Sequence, residues 1–186
     1  MRNEKPFYTM TKNLPEVFKK ITTFVFDIDG VMTDCGVLAL ETGEQPRSFN
    51  VRDGYGINRA LKLGYRVAIL SAQNQLGVRK RLEYLGVTDI FMGASPDGKP
   101  PIFRQFLQDN GLREEEVIFM GDDIPDYEVM ILDGVVSACP ADSVAEVLET
   151  ATYVSPVKGG EGAARDLIEQ VLKAQGKWLS WVVQPG

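Results

Sequence analysis

No histidine occurs anywhere in the 186 residues of this chain. That absence removes Ser-His-Asp and Cys-His nucleophilic catalysis, histidine general bases and nearly every ordinary zinc site. Acid–base work must fall to carboxylates, lysine, tyrosine or water. Cysteine is scarce too: Cys35 and Cys139 lie far apart, form no CxxC pair, and read as reduced thiols of a cytoplasmic protein. No apolar run approaches the roughly 20 residues that a helix needs to span a bilayer. The opening MRNEKPFYTMTKNLPEVFKK lacks the apolar core of a signal peptide or membrane anchor, so no membrane role is expected. Positive charge is not in excess either. Twenty Lys and Arg against 26 Asp and Glu leave a net −6, which argues against binding nucleic acid but not against a small anion held by a metal and a few lysines.

What is present suits one domain with a substantial core: 44% hydrophobic and 25% charged residues over a length typical of a single unit. Strand-like runs at 24–26, 66–70, 89–92 and 117–120, with a weaker one at 135–138, alternate with segments of helical spacing at 55–63, 75–85, 101–110, 125–132 and 163–174. Gly64, Gly86 and Gly111 fall where helices should stop. The rhythm predicts an α/β fold, a three-layer doubly wound parallel sheet of Rossmann-like type. One segment breaks it. Residues 35–51 read as strand, turn (ETGEQ) and strand, a β-hairpin inserted after the first strand. A lone hairpin is marginal in water, so its apolar residues are expected to pack on the body or on another subunit. The organisation expected is an extension at 1–20, one domain at 21–178 without a separate cap, and a tail at 179–186.

In an open α/β sheet, ligands sit beyond the carboxyl ends of the strands. FVFDIDG puts Asp27 at the end of the first strand with Asp29 two residues on; two crowded carboxylates call for a cation. Ser71 follows RVAIL, Lys99 closes the loop GASPDGK after DIFM, and Asp122, Asp123 and Asp126 follow VIFM. Hard oxygen ligands beside a hydroxyl and an ammonium fit Mg²⁺ and a phosphoryl group. Blander readings exist. Asp123 and Asp126 could cap the helix that Pro125 opens, Ser71 could be a loop serine, and Lys99 could be a solvated lysine.

DIDGV, Ser71, Lys99 and GDDIPD, in that order, resemble the four motifs of the haloacid dehalogenase (HAD) superfamily of phosphotransferases. NVRDGYGI, RLEYLGV, GGEGAARD and VLKAQGKW further resemble the 3-deoxy-D-manno-octulosonate 8-phosphate (KDO 8-phosphate) phosphatases, and the likeness runs over about 21–178. It implies a nucleophilic Asp27 that forms an aspartyl-phosphate and an acid–base Asp29. It implies Mg²⁺ held by Asp27, Asp122 and the Asp29 backbone carbonyl, with Ser71 and Lys99 on the phosphoryl oxygens and Asp123 and Asp126 supporting from behind. The substrate would be a small sugar acid phosphate, contacted by Asp29, Asn50, Arg52, Asp53, Gly54, Gln73, Arg81 and Lys99. A homotetramer, in which a neighbour covers each open site, is also implied.

Two departures bear on the sugar. Where the family reads TGR this chain reads SAQ, so Ala72 and Gln73 replace a glycine and an arginine, and the lysine loop is longer. These leave open a phosphatase for a nine-carbon nonulosonate 9-phosphate, and also a non-catalytic HAD-fold subunit. A phospho-accepting receiver domain fits less well, because its acceptor aspartate follows a later strand and nothing in it corresponds to the GDD.

Overall fold

Alternation along a strand sends Phe24 and Phe26 of β1 (Thr23–Phe26) to one face and Val25 to the other. The same split recurs in β2 (Arg66–Ser71), with Val67 and Ile69 opposed to Ala68 and Leu70, and in β4 (Val117–Met120), with Ile118 and Met120 opposed to Val117 and Phe119. A strand apolar on both faces must lie between two layers of helix, which is why these runs read as continuous hydrophobic stretches. The computed structural model describes residues 13–93, 95 and 97–182.

Within it, β3 (Asp89–Met92), β5 (Val136–Cys139) and the short β6 (Tyr153–Val154) complete a six-stranded parallel sheet of order β3-β2-β1-β4-β5-β6. Val25 stands opposite Ala68 on one side and Phe119 on the other. One face carries α1 (Leu14–Lys20), α2 (Val51–Lys62), α3 (Leu76–Leu85) and α7 (Ala163–Ala174); the other carries α4 (Pro100–Asn110), α5 (Ile124–Met130) and α6 (Ala145–Thr150). This is the doubly wound architecture that the sequence predicts. The chain winds outward from β1 to β3 and then returns to β4, so the winding reverses between β1 and β4. The crevice where ligands bind in such sheets therefore opens at Asp27 and Asp122.

Several boundaries differ from the sequence reading. Helix α2 starts at Val51, because Asn50 accepts the Arg52 amide at 2.9 Å and caps it. Helix α1 belongs to the folded body: Phe18 is buried, and Gln175 Nε2 donates to the carbonyls of Phe18 and Ile21 at 2.9 and 2.7 Å. The rest of the expected N-terminal extension, 1–12, and the tail residues 183–186 lie outside the described residues.

The hairpin at 35–51 needs correction. The chain does reverse, with Gly43 N–H donating to Leu40 and Leu40 N–H to Glu44, but neither arm forms a strand ladder. Two arms with no third strand or covering helix cannot bury enough surface to hold a regular ladder. Val37, Leu38 and Leu40 stay exposed along it.

The loop after β1 is braced from behind by residues 157–162. Gly160 N–H donates to Val31 O at 3.1 Å, and Gly159 N–H donates to Asp142 Oδ1 at 2.9 Å. A Cβ on Gly159 would lie 1.9 Å from the Gly30 carbonyl oxygen, so only glycine fits. Gly159→Ala is expected to destabilise the protein by about 1–3 kcal/mol. A lower urea midpoint with an unchanged m-value is the expected result.

Candidate active site

Strand β1 pairs with β4 up to its last residue, and the Asp27 amide continues the ladder by donating to Met120 O at 3.0 Å. Ile28 then turns inward and is fully buried, while its carbonyl accepts from the amides of Val31, Met32 and Thr33. This tight turn separates the two aspartates: Asp27 faces into the crevice and Asp29 stands at its rim. Gly30 has a φ of +86°, and a Cβ there would fall 2.0 Å from Asp122 Oδ2. The glycine of DIDG thus lets the Asp122 carboxylate nest against the first loop.

Lys99 ties the cluster together. Its ammonium lies 2.6 Å from Asp126 Oδ1, to which it donates, and 3.1 Å from Asp27 Oδ1 in ion-pair range but outside hydrogen-bond geometry. Asp126 also accepts from the amides of Asp122 and Asp123 through Oδ2 at 3.1 and 3.4 Å. It caps α5 and positions the lysine at once. Burial pulls the Lys99 ammonium down, but Asp27 and Asp126 together outweigh it and its pKa rises. Ser71 closes β2 and is buried beside Asp27.

Carboxylate oxygens of Asp27, Asp122 and Asp126 lie within 4.8 Å of one another. Burial first, and then the charge of Asp126, raises Asp27 to about 6 against the opposing help of Lys99, the Ile28 amide and Ser71. Burial and the charges of Asp126 and Asp27 raise Asp122 to about 7. Asp27 Oδ1 and Asp122 Oδ1 are buried without a hydrogen-bond partner. Two such oxygens in a crowded acidic group fit a hard divalent cation, which would satisfy both and relieve their repulsion. The Cys35 thiol, raised to about 12 by burial and Asp122, donates to Asp122 Oδ2 at 3.6 Å. Both cysteines are free thiols.

The sequence is similar along most of its length to curated KDO 8-phosphate phosphatases: 36% identical over 159 residues to that of Escherichia coli K12, covering 86% of this chain and 83% of the relative. The Salmonella typhimurium enzyme is 36% identical over 166 residues, covering 88% and 87%. The chain belongs to the KDO 8-phosphate phosphatase family.

Solved structures agree with this assignment. The family's enzyme from Yersinia pestis superposes with a TM-score of 0.86 at 32% identity, covering 91% of this chain and 90% of that one. The cobalt-bound form from Haemophilus influenzae gives 0.82 at 30% identity, covering 88% and 95%. A HAD-superfamily hydrolase of subfamily III A from Legionella pneumophila gives 0.83 at 32% identity, covering 88% of each. No general protein-family model matches the sequence. These relatives favour the eight-carbon reading over the nonulosonate alternative.

The residues expected from sequence do not all converge. Asp27, Ser71, Lys99, Asp122 and Asp126 form one group, with Asp29 at the rim. Asp123 instead caps α5, accepting from the Ile124 amide at 2.7 Å, and it is Asp126 that accepts from Lys99. Asn50 is spent as the α2 cap and on Gly160 O at 3.2 Å. Asp53 is 1% exposed and accepts the Arg165 amide at 2.7 Å, anchoring the start of α7; burial raises it to about 6. Gly54 makes room between α2 and α3, where a Cβ would sit 2.7 Å from Arg81 Nη2. Arg52 lines a separate cleft with Glu161, Arg165 and Glu169. Gln73 folds onto its own loop, accepting the Gln75 amide at 2.8 Å.

Arg47 was invisible to the sequence reading. Its Nε and Nη2 donate to the two oxygens of Asp29 at 2.9 and 3.0 Å. No motif marks it: it lies 18 residues from its partner, in a segment without regular spacing.

The raised carboxyls give the metal-free protein a specific pH dependence. A carboxyl whose folded pKa exceeds its ordinary 3.8 holds its proton more tightly folded than unfolded. Its stabilising effect is full below 3.8 and is lost as pH rises through about 6 for Asp27 and about 7 for Asp122. The Mg²⁺-induced rise in Tm should therefore be larger at pH 8 than at pH 5, as read by scanning calorimetry with and without chelator. An equal rise at both values would show that these carboxyls do not share the metal.

Proposed function

We propose that this protein is a Mg²⁺-dependent phosphomonoesterase that removes phosphate from a keto-deoxy sugar acid phosphate, KDO 8-phosphate. The observation that carries the reading is the enclosed Asp27–Lys99–Asp126 group, with Ser71 and Asp122 at adjoining strand ends, in a chain of this family. Mg²⁺ held by Asp27, Asp122 and the Asp29 carbonyl would supply charge neutralisation for the dianionic phosphate. The cobalt-bound relative supports a divalent metal in such a site.

Asp27 attacks phosphorus in line, forming a bond from its carboxylate oxygen while the bond to the sugar oxygen breaks. Asp29 gives its proton to that departing oxygen, then takes one from the water that attacks the aspartyl-phosphate and releases inorganic phosphate. Lys99 and Ser71 bind the phosphoryl oxygens, and Lys99 balances the charge that grows on them. Asp126 keeps the lysine pointed at Asp27 through both its ion pair and its backbone contacts.

The segment 35–50 carries Val37, Leu38 and Leu40 at 50%, 63% and 41% exposure, and among the described residues no cap domain covers the crevice. We place these side chains in an interface of a homotetramer, whose neighbouring subunit excludes water from the site. Among the described residues no helix is long and apolar enough to cross a membrane, and we assign the protein to the cytoplasm.

Asp27→Asn should lower kcat for KDO 8-phosphate by about 10³-fold or more, and chelation of the metal should abolish turnover until Mg²⁺ is restored; phosphate release measures both. Wild-type turnover by the variant would remove Asp27 as nucleophile. Light scattering on the purified protein should return the mass of four chains, and Leu38→Asp should shift it toward a smaller species with loss of activity. A fully active monomer would refute the shared lid.

A further inference from the structure

Arg47 joins the acid–base candidate to a pocket that the catalytic residues do not line. Both Asp29 oxygens accept from its guanidinium, and Nη1 donates to the Gln45 carbonyl at 2.6 Å. Its side chain is 5% exposed, so this is no solvated surface pair. The same arginine lines a cavity of about 620 Å³ between the 35–50 segment and α3, with Leu40, Glu44, Phe49, Leu76 and Arg81 among its walls. That volume falls in the range of small-molecule sites, about 300–1,000 Å³. Two arginines against one glutamate make its wall cationic overall.

We propose that Arg47 is the residue that recognises the substrate's carboxylate, leaving Asp29 to do so. This rests on the reading that the substrate is a sugar acid phosphate. A guanidinium fork that grips a planar carboxylate through two parallel hydrogen bonds is a ready-made carboxylate site, and Asp29 occupies it here as an internal stand-in for the ligand. With phosphate at Asp27 and Lys99, the acid end of the sugar extends over Asp29 toward the pocket that Arg47 and Arg81 line. Exchange of one carboxylate for another keeps the arginine paired throughout, so it loses little electrostatic energy. It also clears the Asp29 oxygens for the leaving sugar oxygen to approach. Arg47 can make the move because it rides on a segment with no strand ladder, between exposed Pro46 and Ser48. A phosphate ester without a carboxylate does not draw the arginine away, so recognition of the acid group is coupled to release of the acid–base residue. Arg81 is the other cation of the pocket, but among the described contacts it stacks on Tyr84, at 5.9 Å, rather than reaching Asp29.

The test compares two open-chain phosphate esters that differ only in a carboxylate at the far carbon, 6-phosphogluconate and glucitol 6-phosphate, as inhibitors of p-nitrophenyl phosphate hydrolysis with Mg²⁺. The readout is the ratio of the two inhibition constants, which a merely structural role of Arg47 would not move. The wild type should favour the carboxylated ester by about ten-fold or more. Arg47→Gln should bring the ratio to about one, and Arg47→Lys, which keeps the charge but not the fork, should leave it in between. The lysine variant also serves if the glutamine variant does not fold. An unchanged ratio in both variants, or a ratio abolished by Arg81→Gln and not by Arg47→Gln, would overturn the proposal. Turnover of KDO 8-phosphate is scored separately: its absence in the wild type would defeat the substrate assignment while the ratio still decides the role of Arg47.

Discussion

Lys99 is the charge that the site cannot do without. Three carboxylates brought within a few ångströms inside a protein repel one another and lose hydration, and either effect alone disfavours the ionised state. One buried ammonium between Asp27 and Asp126 makes the arrangement tolerable, yet leaves Asp27 and Asp122 raised and two of their oxygens without hydrogen bonds. The remaining deficit of positive charge is what a divalent cation would settle. A bound cation would therefore stabilise the fold as well as equip the site, as expected where like charge is concentrated.

Holding that cluster demands a stiff frame, and the frame is the sheet. Asp27 extends the β1–β4 pairing by one hydrogen bond, Ser71 ends β2, and Asp126 sits on the first turn of α5 with its carboxylate on backbone amides. Glycines then permit the contacts between loops: Gly30 receives the Asp122 carboxylate, and Gly159 packs on the Gly30 carbonyl. The segment 35–50, by contrast, has no ladder and carries exposed apolar side chains. On the proposed function, the sheet-held cluster would take the phosphate and the segment without a ladder would face the sugar.

The parts of the molecule legible in the sequence were those governed by local pattern. Buried parallel strands announce themselves as unbroken apolar runs, and residues placed just after successive strands have to meet at one edge of the sheet, which is why Asp27, Ser71, Lys99 and Asp122 group together by their order along the chain alone. Residues 35–51 have a strand, turn and strand pattern yet form no ladder, because nothing is available to cover or extend two short arms. Asn50 and Asp53 lie in the segment that resembles the family, and what the sequence did not show is that their side chains hold the starts of α2 and α7.

Sequence by itself determined the doubly wound sheet, the acidic edge and the exclusion of histidine chemistry, because each follows from periodicity, order along the chain or composition. Only the tertiary structure decided that Asp126 rather than Asp123 holds Lys99, and that Arg47 reaches back to both oxygens of Asp29. Those choices turn on where a side chain points after the chain has closed on itself. Neighbouring aspartates differ in direction by the turn of a helix, and an arginine in an irregular loop has no period from which its direction could be read.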